Sequence, residues 1–300
     1  VSELLEYLPS KNYLESERFP FAIEWHTLKP GRTTALHAHE FLELVYVAGG
    51  TGEHSYNGHN YRLSRGDVFV IASQVQHSYR VDTDQPLIVC NLLFLKELLN
   101  RELNAMTAVT SFVHFFYVEP FLKLTALFES HLSLSPHACT EMEFLLQRLG
   151  KEHKEKRMGY EIGVKANLIE LFLLLSRWYE ESSHPPFSVA TDTDSMEYIS
   201  RFVQLNYDQN LSIAQLCRMC GMSESKFAAA FRKHSGTTYI KFRNRCRIEI
   251  AKDMIVNSNE KIVSIAQQVG FEDISNFNRT FKEIVGMSPR QYRQLVSDKY

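Results

Sequence analysis

"LCRMCGMSESKFAAAFRKHSGTTYIKFR", residues 216–243, returns as "IAQQVGFEDISNFNRTFKEIVGMSPRQYR", residues 265–293. Leu216, Gly221, Phe227, Phe231, Gly236 and Phe242 are answered by Ile265, Gly270, Phe277, Phe281, Gly286 and Tyr292, at an offset of 49 residues up to the first glycine and 50 after it. Each copy reads as a helix, a sharp turn that starts at glycine, and a second helix whose aromatic pair at i and i+4 faces inward. That is the pattern of a helix-turn-helix, in which the first helix braces the second so that its outer face can enter a major groove. Ser223 and Asp273 are the expected N-caps of the two outer helices.

With each phenylalanine pair inside, steps of 100° per residue turn Ser225, Ala228, Ala229 and Arg232 outward in the first copy. Lys233 follows as a phosphate contact, and the second copy presents Ser275, Asn278, Arg279 and Lys282. Arginine can donate two bonds to guanine, asparagine can pair with adenine, and serine and lysine can hold base edges or phosphate. Ala228 and Ala229 offer only methyl contact, so the second unit is expected to supply more of the hydrogen-bonded recognition. One such unit alone would be about as well explained by a helical bundle with a solvated face; two in register are not.

Between the copies, "TYIKFRNRCRIEIAKDMIVNS", residues 238–258, reads as one continuous helix with Ile240, Ile248, Ala251 and Ile255 among its apolar positions. About 18 residues at ~1.5 Å each span ~27 Å, close to the ~34 Å between successive major-groove faces. Lys241, Arg243, Arg245 and Arg247 along it are candidates for neutralising phosphates, with a solvated basic face as the alternative for any one of them. The net charge of -2 conceals an asymmetry: residues 194–300 hold 16 Lys+Arg against 11 Asp+Glu, and the rest hold 17 against 24. A basic back and an acidic front suggest that only the back touches a polyanion. Between them "SSHPPFSVATDT", residues 182–193, reads as a linker.

The tandem, most specifically "SIAQQVGFEDISNFNRTFKEIVGMSPRQYR" (264–293), resembles the AraC/XylS family of bacterial transcription regulators. The resemblance implies an effector-responsive regulator, commonly a homodimer, acting on double-stranded promoter DNA, and touching RNA polymerase if it activates. Two departures concern the first unit: Ala229 stands where relatives often carry a larger polar or basic residue, and "GTTY" lacks the proline common before the connecting helix.

The front half has a different period. From about residue 21 to 95 apolar and polar residues alternate between turn signals, as in short antiparallel strands. Asn57-Gly58 supplies the positive φ angles of a tight hairpin, and "LSRGDVFVIA" gives a turn followed by a strand, so an all-β barrel or sandwich is expected. After residue 95 the spacing becomes helical, in "TEMEFLLQRLGKEHKEKR" and "GVKANLIELFLLLSRWYEE". In the second, Leu168, Phe172, Leu175 and Tyr179 form a stripe flanked by Leu171 and Leu174. Packing within the chain is one reading and a dimer interface through helices near 139–181 is the other.

In "LHAHEFLELVYVAGG", residues 36–50, a single strand would aim His37, His39, Phe41 and Glu43 the same way, and His77 in "SQVQHSY" is a further member from another strand. Three imidazoles and a carboxylate suit Fe, Mn, Ni or Zn, and hydrogen-bond hydroxyl groups equally well, while Phe41 could stack on a sugar face. The spacing resembles the metal motif of cupins: Gly31, His37, His39, Glu43 and Gly50 match it. Gly66 and His77 keep the spacing of the second motif, whose proline, glycine and asparagine slots hold Ala72, Gln74 and Val81. Sensor domains of the AraC type resemble this pattern while using the barrel for a sugar or other small effector.

The expectation is an α+β chain with three parts. Residues 1–181 form a cupin-like β-barrel with accessory helices, binding a small polar effector through His37, His39, Phe41, Glu43 and His77; 182–193 connect; 194–300 form an all-α domain of two helix-turn-helix units joined by a linker helix. No cofactor is required, although His37, His39, Glu43 and His77 could hold a divalent metal. The alternative is a metal-dependent cupin enzyme, an oxygenase or isomerase, with a helical tail for targeting or oligomerisation; nothing beyond the ligand set suggests a catalytic base or nucleophile. No apolar run reaches the ~18 residues of a membrane span, and charges fill the start where a signal peptide would be apolar, so a cytoplasmic protein is expected. The five cysteines are scattered and read as reduced thiols. Cys217 and Cys220 answer to Ala266 and Val269 in the second copy and read as small core residues.

Overall fold

Asn57 and Gly58 have φ of +49° and +82°, the two positive angles that a tight hairpin needs, and they join strands β5 (Gly52–Tyr56) and β6 (His59–Leu63). The computed structural model describes residues 6–106, 109–119, 131–182 and 192–297. Around this hairpin lie β1 (Glu6–Leu8), β2 (Phe21–Leu28), β3 (His37–His39), β4 (Leu42–Gly49), β7 (Asp67–Ile71), β8 (His77–Val81), β9 (Leu87–Phe94) and β10 (Leu132–Ser133). They form two five-stranded sheets, ordered β1-β3-β8-β5-β6 and β10-β7-β4-β9-β2. The edge strands β1 and β10 lie outside the expected strand region; at three and two residues they are too short to show alternation.

The inward residues of both sheets, among them Val45, Val47, Phe69, Ile71, Tyr79 and Val81, make one apolar core. Burying each such side chain stabilises the fold by roughly 1.5–3 kcal/mol, so the two-residue period is held by burial and not by strand propensity alone. Helices cover part of the barrel: α1 (Asn100–Met106), α2 (Thr110–Val113, continued by a π-helical turn His114–Val118), α3 (Pro136–Glu155) and α4 (Tyr160–Glu181). Phe172 of α4 lies 5.8 Å from Phe94 of β9 and 4.6 Å from Phe116, ring centre to ring centre. Leu168, Leu171, Phe172 and Leu175 are therefore buried within the chain. The α4 stripe packs against its own barrel and is not an open dimer surface.

The chain divides into two compact units, residues 1–185 and 186–300. Most of the expected connection, 182–193, lies outside the described residues, and its end already belongs to α5 (Asp192–Leu205). The second unit continues with α6 (Ile213–Met219), α7 (Glu224–Ser235), α8 (Tyr239–Asn257), α9 (Ile262–Gln268), α10 (Ile274–Val285) and α11 (Pro289–Ser297). Thr238 caps α8 by accepting from the Lys241 amide, so the repeat is two copies of brace, turn and outer helix around one 19-residue rod. Among the described residues, no helix is long and apolar enough to cross a membrane.

Candidate effector site and nucleic-acid interface

His37, His39, Phe41 and Glu43 do not share one strand. The chain leaves the first sheet after His39, bends through Glu40 and Phe41, and enters the second sheet at Leu42, so the four residues do not keep one alternation. Glu43 shares the inward face of β4 with Val45 and Val47, and His77 that of β8 with Tyr79 and Val81. The crossing brings three of the expected residues together: His39 Nε2 lies 3.0 Å and His77 Nε2 3.7 Å from Glu43 Oε2. All three are buried.

The other two expected residues take different places. Phe41 stacks on the His39 ring, 4.2 Å between centres, but packs with Leu14, Ala22 and Leu93 in a separate apolar cluster. It supports the imidazole from behind, and the expected sugar-stacking role is assigned to the wrong face. His37 is half-buried, with its ring centre 4.1 Å from that of His77, and its Nδ1 donates to Ala35 O at 2.9 Å. It borders the buried trio without joining it. Two further histidines line the same interior. His54 is stacked between Tyr79 and Phe69, 4.9 Å from each, and His131 lies on Phe69 at 4.5 Å. The inward alternation of Gly52, His54 and Tyr56 was the available signal for His54; His131 precedes a two-residue strand and had none.

Burial, only partly countered by the Glu43 carboxylate, pushes the His77 imidazole down to about 3, so the ring is neutral. Burial works against ionisation of Glu43 as well, but the contact with His39 and the neighbouring imidazoles outweigh it, and the carboxyl stays below its ordinary range. A carboxylate and a neutral imidazole thus stand side by side among aromatic rings, able to hold hydroxyl groups or a cation.

In the second unit, Gly221 (φ +62°) and Gly270 (φ +89°) begin the two turns, where the left-handed conformation favours glycine. Ser223 accepts from the Lys226 amide, and Asp273 from those of Ser275 and Asn276, which holds the Asp273 carboxyl below its ordinary range. Phe227, Phe231, Phe277 and Phe281 are buried. Ser225, Ala228, Ala229, Arg232 and Lys233 on α7, and Ser275, Asn278, Arg279 and Lys282 on α10, are all exposed. Arg279 Nη2 donates to Asn276 Oδ1 at 3.1 Å, which orients the guanidinium on the outer face.

The rod departs from expectation at two positions. Arg247 is buried, and donates to the carbonyls of Tyr207, Asp208 and Gln209 and to Asn210 Oδ1 at 2.6–3.3 Å. It ties the loop after α5 to α8 and is unavailable to phosphate. The reason is helical: Tyr239, Arg243, Arg247, Ala251 and Ile255 recur every four residues on the face turned to the protein. Arg243 is half-buried over the Tyr239 ring, whereas Lys241 and Arg245 are exposed. Ile240, one of the rod's apolar positions, is 43% exposed, unlike Ile248, Ala251 and Ile255, which are buried. Cys217 and Cys220 are buried with Ala266 and Val269, as small core residues should be.

A barrel with a buried polar cluster, followed by paired helix-turn-helix units, defines a ligand-responsive DNA-binding regulator. Residues 21–172, more than half of the chain, match the model of the AraC-like ligand binding domain, and residues 216–295 match a helix-turn-helix domain. The chain belongs to the AraC family of transcription regulators. It is 28% identical to the HTH-type transcriptional activator RhaR of Yersinia pseudotuberculosis serotype O:1b (strain IP 31758), over 96% of this chain and 93% of that one. The same-named activator of Shigella dysenteriae serotype 1 is 28% identical over 90% of each chain. Among solved structures, fatty acid-bound ToxT from Vibrio cholerae is similar over 91% of this chain and 94% of that one, at 16% identity and a TM-score of 0.35. The relatives are regulators, and the chain is a regulator and not a cupin enzyme.

Proposed function

We propose that residues 1–181 sense a small polar effector, a sugar, and that residues 194–300 read a promoter through two successive major grooves. The observation that carries this reading is the outward presentation of both polar faces, at the two ends of one rod, on the helices that follow the two turns. A rod of 19 residues spans about 28 Å, near the ~34 Å that separates groove faces on one side of a duplex. Ser225, Ala228, Ala229, Arg232 and Lys233 form the first reading surface, and Ser275, Asn278, Arg279 and Lys282 the second. Lys241 and Arg245 replace the full set of four rod cations as phosphate contacts.

In the barrel, His39, Glu43 and His77 hold the effector's hydroxyl groups, with His37 at the rim and His54 and Tyr79 alongside. Effector binding shifts the chain between two arrangements by binding one more tightly. The relatives' description as activators supports activation, with RNA polymerase as partner. A homodimer is proposed through the outer faces of α3 and α4, where Phe144 and Ile162 are 63% and 76% exposed, and not through the buried stripe.

The test is selection of binding sites for the full chain from randomised duplexes. Two short motifs centred about 10 base pairs apart are expected. A single short motif, or binding without sequence preference, would refute paired reading. Thermal melting of the full chain against a panel of monosaccharides tests the sensor, and a shift abolished by His39→Ala is the expected result.

A further inference from the structure

The second sheet carries a polar track that the buried trio does not account for. On β2, Ala22 and Leu28 pack into the interior, so Glu24 and His26, in the same alternation, share that inward face. The opposite face of β2 belongs to α3: the Phe21 ring lies 5.0 Å from that of His153, and a Cβ on Gly150 would meet Ile23 Cδ1 at 3.9 Å. Glu24 pairs with Asn91 of β9, and Asn91 with Val45 of β4, one inward row along from the pair Glu43 and Leu93. Directly paired side chains stand about 4.5–5.5 Å apart and diagonal ones about 7–8 Å. Glu43, Asn91 and Glu24 therefore mark a diagonal across three strands, from the buried interior to the sheet's edge strand, where Glu24 and His26 are 40% and 43% exposed. His26 Nε2 lies 3.1 Å from Glu24 Oε2; that bond raises the imidazole above its ordinary range against partial burial, and the Glu43 charge acts in the same direction.

Two atoms of this interior stand alone among the described residues. Asn91 Oδ1 and the Tyr79 hydroxyl are shut off from solvent, and neither makes a hydrogen bond. Buried polar atoms are nearly always paired, and each orphan costs free energy. Asn91 belongs to the second sheet and Tyr79 to the first, and facing sheets stand ~10 Å apart, too far for one water to serve both. Hydroxyl groups carried on one small molecule serve both, since a hydroxyl donates and accepts and so satisfies a phenol and either end of an amide. An acid would instead set like charge beside Glu43 and Glu24. We propose that Asn91, with the Glu24–His26 pair beyond it, is a second subsite of the barrel, and that its ligand is an uncharged polyhydroxyl molecule lying from Glu43 towards the β2 edge. This rests on the reading of the barrel as the effector site, and adds the direction in which the molecule lies, the amide that reads it and the refusal of sugar acids.

The experiment melts the full chain alone, with neutral hexoses, deoxyhexoses, pentoses and alditols, and with the corresponding uronic acids. Asn91→Leu replaces the orphaned amide with an apolar side chain beside Val45, Val89 and Leu93, all buried, so without ligand it should melt about 2 °C or more above the wild type. Its affinity for the neutral sugar that stabilises the wild type should fall at least about tenfold, and that of Glu24→Ala, altered at the half-exposed edge, at least about threefold. Uronic acids should give no shift. A ligand-free melting temperature below that of the wild type would show the amide to be bonded within the fold and overturns the subsite; failure of Asn91→Leu to fold counts as the same result. A sugar shift that His39→Ala abolishes but Asn91→Leu and Glu24→Ala leave intact also overturns the subsite, and spares the effector reading. No shift with any neutral sugar refutes both, and equal shifts with uronic acids refute the ligand class.

Discussion

Arg247 and Arg279 carry the same charge and do opposite work. Arg247 spends its donors on three backbone carbonyls and Asn210, with its guanidinium carbon 5.4 Å from the centre of the Phe271 ring. Removing it strands those carbonyls in the interior, and Arg247→Ala should lower unfolding free energy in urea by about 3 kcal/mol. Lysine, a point charge without the fork, should not restore it. Gly270 belongs to the same junction: a Cβ there would stand 2.3 Å from Asp208 O and 2.7 Å from Arg247 Nη2, at a φ of +89°. Gly270→Ala should therefore destabilise by about 2 kcal/mol or more, read by the same melts. Arg279→Ala, on an exposed face, should shift stability by less than about 0.5 kcal/mol while weakening specific duplex binding by about 1–3 kcal/mol in anisotropy titrations. Unchanged selectivity would remove Arg279 from the reading surface.

At the scale of elements, the corner between α3 and α4 is fastened to the segment before β2 by a single carboxylate. Glu15 accepts from His153 Nε2 at 2.8 Å, Lys156 Nζ at 2.6 Å and the Tyr160 hydroxyl at 3.0 Å. Partial burial opposes its ionisation, but these three donors prevail and hold the carboxyl below its ordinary range. A carboxyl depressed in the folded state adds stability above its unfolded value of about 4.3, and that stability is lost as pH falls towards the folded one. Melting temperature of the wild type should thus fall faster between about pH 5 and pH 3 than that of Glu15→Gln, which lacks the titrating group; parallel curves would deny the clasp. The two outer helices differ in the same physical terms. α7 presents Ala228 and Ala229 where α10 presents Asn278 and Arg279, so base substitutions in the half-site read by α10 should cost more affinity.

For the whole molecule, the expected signature of duplex binding is its salt slope. Exposed Arg232, Lys233, Lys241, Arg245, Arg279 and Lys282 offer up to six phosphate or base contacts per chain. Affinity should fall steeply with salt, and Lys241→Ala should reduce the slope of log affinity against log salt by about 1 without altering sequence preference. Arg247→Lys offers the contrast, since a buried residue should leave the slope unchanged in whatever fraction remains folded. A slope unaffected by Lys241→Ala would mean that the rod's outer face does not meet the backbone.

The sequence by itself determined the two kinds of architecture. Period two over residues 21–95 and the doubled Gly-and-Phe spacing over 216–293 are enforced by local geometry, since side chains alternate on a strand and recur every three to four residues on a helix. The turn at Asn57-Gly58, the caps Ser223 and Asp273, and the outward faces of α7 and α10 follow from the same local rules. What lay beyond local rules was any choice that depends on a partner distant in sequence. The bend at Glu40–Phe41 moves the chain between sheets, and only that crossing seats His39 against Glu43 and sends Phe41 to Leu14 and Leu93. His54 and His131 join the interior through pairing and stacking across the barrel. Arg247 looked like its neighbours until the loop carbonyls at 207–209, some forty residues away, gave its charge a place to be buried. Periodicity fixes which face a side chain occupies, but whether that face meets water, apolar core or a waiting acceptor is decided by packing.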